Sequence, residues 1–201
     1  MNTHTRILLA PTALRVILSI GALLLLNAVS LCADGDAELS PVAKVLKYEL
    51  KMLERDFVPL AEAMPAEKYN FAPTEGEFDG VRTFSQQISH TAKAIYTASA
   101  AVLEEKLAPE LDGGENGPAT LKTKEDVLAY LKGAFANAHK AMAKLTAANL
   151  TDEVEASWGK APRLFMADLV IWHSFDHYGQ MVEYVRMNGI VPPASRPKKQ
   201  Q

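Results

Sequence analysis

The chain has 201 residues, 48% of them apolar and 22% charged, with a formal net charge of −3. That is enough chain for one sizeable core, and a mildly acidic balance with no basic stripe excludes a nucleic-acid binder held by phosphate contacts. A single cysteine, Cys32, leaves the rest of the chain without a disulfide, a thiolate ligand or a thiol nucleophile.

The first 33 residues read as a targeting segment. Arg6 and Arg15 precede the apolar run Val16–Leu31, and small residues lead into Asp34-Gly35-Asp36. This is the order of a secretory signal peptide, with cleavage expected near Ala33. The run is shorter than the roughly 20 residues that span a bilayer, so no stable membrane span is expected after cleavage. A lipid anchor through Cys32 is the lesser alternative, because Leu31 occupies a position where a small residue is wanted. Cleavage removes Arg6 and Arg15 and no acid, which takes the net charge from −3 to −5. The expected location is outside the cytosol, in the periplasm.

Ser40-Pro41 is a helix-start pair, followed by Val42, Val45, Leu46, Leu50, Leu53 and Phe57 at helical spacing. The pattern predicts a helix over about 45–63, kinked or ended near Val58 by Pro59. Met64 to Arg82, punctuated by Pro65, Pro73, Gly76 and Gly80, reads as a long connection anchored by Tyr69, Phe71 and Phe78. Thr83 and Gln86 fit a capping box that opens a second helix, expected to reach about Lys106. Leu107 to Lys122 is rich in glycine and proline and reads as a solvent-facing loop. Thr123, with Asp126 three residues on, caps a third helix expected to reach about Ala148. Asn149 to Ala161 is a third connection. Pro162 at the first helical position opens a fourth helix that closes at Gly189. Its inward stripe is Met166, Leu169, Val170, His173, His177, Gln180, Met181 and Tyr184. A basic tail covers 196–201. Four amphipathic helices and no strand pattern predict an all-α four-helix bundle over residues 40–195.

His173 and His177 stand four residues apart, so both imidazoles leave the same face of the fourth helix. That face enters the core, where each ring needs a hydrogen-bond partner or a metal that binds its lone pair. By themselves the two rings leave both explanations open. His139 reads as a boundary residue, and His90 alone as an ordinary hydrogen-bonded histidine. Asp176 and Gln180 lie close enough to accept a proton, orient water or fix a histidine tautomer, although a solvated carboxylate and a core amide explain them equally. Trp158, Trp172 and Tyr184 read as packing residues.

At this point the residues resemble a known family. His173, His177, Gly179-Gln180, Tyr184, Arg186, Gly189 and Pro192-Pro193 are similar to the last-helix signature of the DinB/YfiT-like metalloenzymes. Lys68-Tyr69-Asn70-Phe71-Ala72-Pro73, leading to Phe84 and Ser89-His90, resembles the entry to that family's second helix. The resemblance spans roughly residues 40–195. It implies a four-helix bundle whose His90, His173 and His177 bind one divalent metal near an open end. Tyr178 and Asp176 depart from a common family form, which has arginine and histidine there.

Three neutral imidazoles would leave a coordination position open and would favour an anionic ligand such as hydroxide, thiolate or carboxylate. They suit zinc or nickel first, with iron or manganese as further candidates. The expected function is therefore a metal-dependent hydrolase or thiol-type transferase acting on a small-molecule substrate, as a monomer or a homodimer. Low-molecular-weight thiols are mainly cytosolic, so export favours hydrolysis. The competing readings are a non-catalytic metal- or ligand-binding bundle and a plain structural bundle.

Overall fold

The structure is a computed structural model that describes residues 40–197. The expected signal peptide and the last residues of the basic tail lie outside the described residues. Four long helices carry the fold: α1 (Pro41–Ala63), α2 (Phe84–Leu103), α3 (Lys124–Ala143) and α4 (Arg163–Met187). No helix among the described residues is long and apolar enough to cross a membrane.

Each helix begins where its first turn finds acceptors for otherwise unpaired N–H groups. The Ser40 hydroxyl accepts from the Ala43 amide at 3.0 Å, and Pro41 has no N–H to satisfy. In α2 the capping box is complete: the Gln86 amide donates to Thr83 Oγ1 at 3.2 Å and the Thr83 amide to Gln86 Oε1 at 2.9 Å. Thr123 and Asp126 repeat the arrangement at α3.

Pro59 neither ends α1 nor stops it near Val58; the helix continues to Ala63. The reason is burial, since Leu60, Ala61 and Met64 beyond it are fully enclosed and their packing outweighs the one backbone bond that proline forgoes. The buried stripe of α1 is Ala43, Leu46, Leu50, Leu53, Phe57 and Leu60, while Val42 and Val45 face outward.

Two helices stop earlier than the sequence pattern suggests. α2 ends at Leu103 because Glu104 turns into the left-handed region at φ 56°, which sends the Glu105 amide back to the Ala100 carbonyl. α3 ends at Ala143, where the Asn149 side chain accepts from the Thr146 amide and donates to the Lys144 carbonyl, both at 2.8 Å. At the end of α4 the expectation agrees with the structure: Gly189 at φ 73° lets the Ile190 amide reach the Val185 carbonyl at 2.9 Å.

The bundle is not purely helical. Glu153–Ala156 (β1) and Gly159–Pro162 (β2) form an antiparallel hairpin, with Ala156 opposite Gly159 and Ser157-Trp158 at its tip. Strands of four residues with one buried side chain each, Val154 and Ala161, are too short for alternation to stand out. Pro162 thus closes an edge strand and precedes α4, where the sequence placed it inside the helix.

α2 packs against both α3 and α4, and α1 against the same two. This puts α1 and α2 on one diagonal of the bundle and α3 and α4 on the other. Phe57, Phe84, Phe135, Leu50, Leu53 and Leu131 fill the core between them. His90 and the pair on α4 consequently meet across the α2–α4 seam.

Candidate metal centre

The candidate ligand atoms of His90, His173 and His177 all lie within 4.8 Å of one another. Ring centroids are separated by 5.3 Å (His90–His173), 4.8 Å (His90–His177) and 4.6 Å (His173–His177). The helical register of α4 accounts for the short third distance, and the α2–α4 packing for the other two.

Two of the rings are held by hydrogen bonds on Nδ1, which leaves Nε2 available. His90 Nδ1 donates to the backbone carbonyl of Glu115 at 2.5 Å, and a carbonyl can only accept, so Nε2 keeps the lone pair. This contact comes from the loop between α2 and α3. That loop therefore folds over the site and is not simply solvent-facing.

His177 Nδ1 lies 2.6 Å from Gln87 Oε1. Gln87 Nε2 donates to Gln180 Oε1 at 3.0 Å, and Gln180 Nε2 to Asp176 Oδ2 at 3.2 Å. A carboxylate at the end of this chain sets every direction along it. Gln180 must present its amide hydrogens to Asp176 and its oxygen to Gln87, which turns the Gln87 oxygen toward His177. Asp176 and Gln180, both exposed, thus reach His177 only through Gln87, which is 1% exposed.

His173 differs: its Nε2 is buried with no hydrogen-bond partner. A buried polar nitrogen without a partner is costly, and one beside two other imidazoles is the arrangement a shared cation would relieve. The donor set fits a divalent ion of intermediate softness.

All three rings are held toward their neutral form. Burial is the main cause for each, opposed at His90 by the Glu115 carbonyl and reinforced at His173 by the neighbouring His90. His177 is pushed down to about 4, first by burial and then by His173 and His90. Neutral imidazoles at pH 7 have their lone pairs free for a ligand role.

This sets the acid response of the metal-free protein. Unfolded histidine titrates near 6.5 and folded His177 near 4, so between those values the unfolded chain binds the extra proton. Stability is complete above the upper value and falls as pH drops through the window. His177 should account for about 3 kcal/mol of that loss at most. Urea denaturation of metal-free protein at pH 7 and pH 4.5 measures it, and His177→Leu should flatten the slope.

Gln87 was not singled out from the sequence. Its signal was a glutamine three residues before His90 inside an apolar stripe, a buried amide that must bond to something. Gln87→Met keeps the volume and removes both hydrogen bonds. Metal affinity should fall about 10–100-fold, with helicity unchanged, in a chelator competition.

The remaining candidates lie elsewhere. His139 Nε2 meets Glu54 at 2.7 Å on the α1–α3 side. Tyr184 is buried and donates to the Arg82 carbonyl at 3.0 Å. Tyr178 packs against Phe57 at 6.2 Å and Phe175 at 6.4 Å, among aromatic rings. Trp158, read as a packing residue, is 59% exposed at the hairpin tip and lines a cavity of about 500 Å³ beside His90 and His173. Among the described residues no fourth histidine, cysteine or acid joins the three histidines.

A search of curated proteins finds no significant match. The family model for the DinB superfamily matches residues 49–181, a span that includes all three histidines and most of the bundle. A match over more than half of the 201 residues, on a four-helix frame, settles the relationship: the chain belongs to the DinB superfamily.

Proposed function

We propose that the protein is an exported metal-dependent enzyme, a hydrolase before a thiol-type transferase, built on the His90, His173 and His177 site. The observation that carries this reading is the buried, unpartnered Nε2 of His173 beside two imidazoles whose own Nδ1 atoms are already bonded. A divalent ion there, zinc or nickel first and iron or manganese next, supplies Lewis acidity toward a small molecule in the adjoining cavity.

The chain's own residues do the positioning. Glu115 and Gln87 hold two rings by their far nitrogens, and burial keeps all three uncharged. The cavity meets His90 and His173 but not His177, so one side of the cluster faces a space large enough for a small organic molecule. That opening favours catalysis over a sealed binding module. The proposed export rests on the Met1–Ala33 segment.

The test is metal analysis of tag-free mature protein, followed by a screen of ester, amide and thiol-conjugation substrates. One tightly held divalent ion per chain and turnover that chelation removes are expected. Protein that retains no metal sinks the reading, and loaded protein inert across the screen sinks its catalytic half.

A further inference from the structure

The cavity beside the histidines has a composition that narrows what it can take. Its α2 wall carries Lys93 three residues after His90, on the same helical face. Arg82 enters from the connection before α2. Across from them stand Met166 and Leu169 of α4, and Trp158 reaches in from the hairpin tip.

Both cations retain hydrogen-bonding capacity. Arg82 donates from Nε to Asn116 Oδ1 at 2.8 Å and from Nη2 to Glu115 Oε2 at 3.2 Å, two bonds from a group with five donors. Lys93 has only a loose ion pair with Asp112, at 3.9 Å. Glu115 is the one carboxylate in the lining, so two cations outnumber it in a chain of net charge −3. With Asp112 3.9 Å from Lys93, however, the local charge is near balance, so the preference for an anion comes from the donors that Arg82 and Lys93 leave unused.

The opposite wall is apolar, which inorganic anions do not use. We propose that the cavity binds an organic carboxylate, its acid group among Arg82, Lys93 and the histidines and its apolar body against Trp158, Met166 and Leu169. Guanidinium and carboxylate match in plane and spacing, and an exposed indole offers a flat apolar face. The inference deepens the proposed function and rests on the reading of the three histidines as a metal centre.

Retention of zinc, nickel, iron and manganese by the full mature chain is measured first, by atomic spectroscopy. Binding to the protein loaded with the metal it retains is then compared by calorimetry for 3-phenylpropionate, its neutral amide, acetate and inorganic phosphate. The acid should bind about tenfold or more tightly than the amide, and more tightly than acetate or phosphate. Lys93→Met should cut the advantage over the amide about fivefold, and Trp158→Ala should weaken phenylpropionate about fivefold while leaving acetate unchanged. Circular dichroism checks that both variants keep their helix content.

With a metal retained, equal binding of acid and amide overturns the proposal. So does a preference that Lys93→Met leaves intact, or phosphate binding as tight as phenylpropionate. If neither zinc, nickel, iron nor manganese is retained, the underlying metal reading is overturned, and the proposal falls with it.

Discussion

Replacing His173 by alanine is expected to abolish tight binding of a divalent ion. Two imidazoles would remain, one on α2 and one on α4, with no third His, Cys, Asp or Glu among the described residues to complete the set. The affinity loss should exceed the roughly 100-fold that marks the upper end for removing an outer hydrogen-bond partner such as Gln87. Thermal shift reads the change directly, because an ion at about 100 times its dissociation constant adds about 2.7 kcal/mol to the folded state. That increment should vanish in His173→Ala and persist in His139→Ala, whose ring is paired with Glu54 away from the site. The metal-free variant should unfold close to the metal-free parent, since the His173 nitrogen has no hydrogen bond to lose. A variant that still binds zinc as the parent does would remove His173 from the ligand set.

Phe57→Ala should have the largest effect on folding. Phe57 is fully buried on α1, 6.1 Å from the ring of Phe135 on α3 and 6.2 Å from that of Tyr178 on α4. Removing it leaves a cavity shared by three helices, at a cost of about 3–5 kcal/mol. For a domain of this size the melting temperature should fall by about 10 °C. Val45→Ala on the same helix, at a side chain 55% exposed, should change stability by less than about 0.5 kcal/mol. Because the histidines belong to α2 and α4, the Phe57 variant should still bind metal below its own melting point. Loss of binding in well-folded Phe57→Ala would show that α1 supports the site after all.

The helices were legible because capping chemistry and spacing agree at their starts. Ser40-Pro41, Thr83-Gln86 and Thr123-Asp126 mark three N-termini by residues that satisfy backbone donors, and the structure uses all three. Helix ends were less visible. Glu104 adopts a left-handed turn with no glycine to announce it, and the Asn149 side chain closes α3 from six residues beyond its end. The hairpin went unseen because its burial rests on one residue per strand.

The site divides along the same line. His173 and His177 are paired by local periodicity, which any sequence displays. That His90 stands beside them is a tertiary fact, reached from the sequence only through family resemblance. Gln87 and the Glu115 carbonyl were invisible for two different reasons. A buried glutamine resembles any core amide until its partner is known, and a main-chain carbonyl leaves no trace in residue identity.

That last difference governs how each ring can be disturbed. His177 takes its orientation from a side chain, so one nucleotide change at position 87 can release it. His90 takes its orientation from the main chain, and no substitution of the Glu115 side chain deletes a peptide carbonyl. What His90 depends on is the number of residues between Glu104 and Thr123 and the turn at Gly114–Gly117 that presents the carbonyl. One imidazole is therefore exposed to point mutation and the other to insertion and deletion. The hold on His90 therefore constrains the length of this loop, whereas the Glu115 side chain matters only for its separate contact with Arg82.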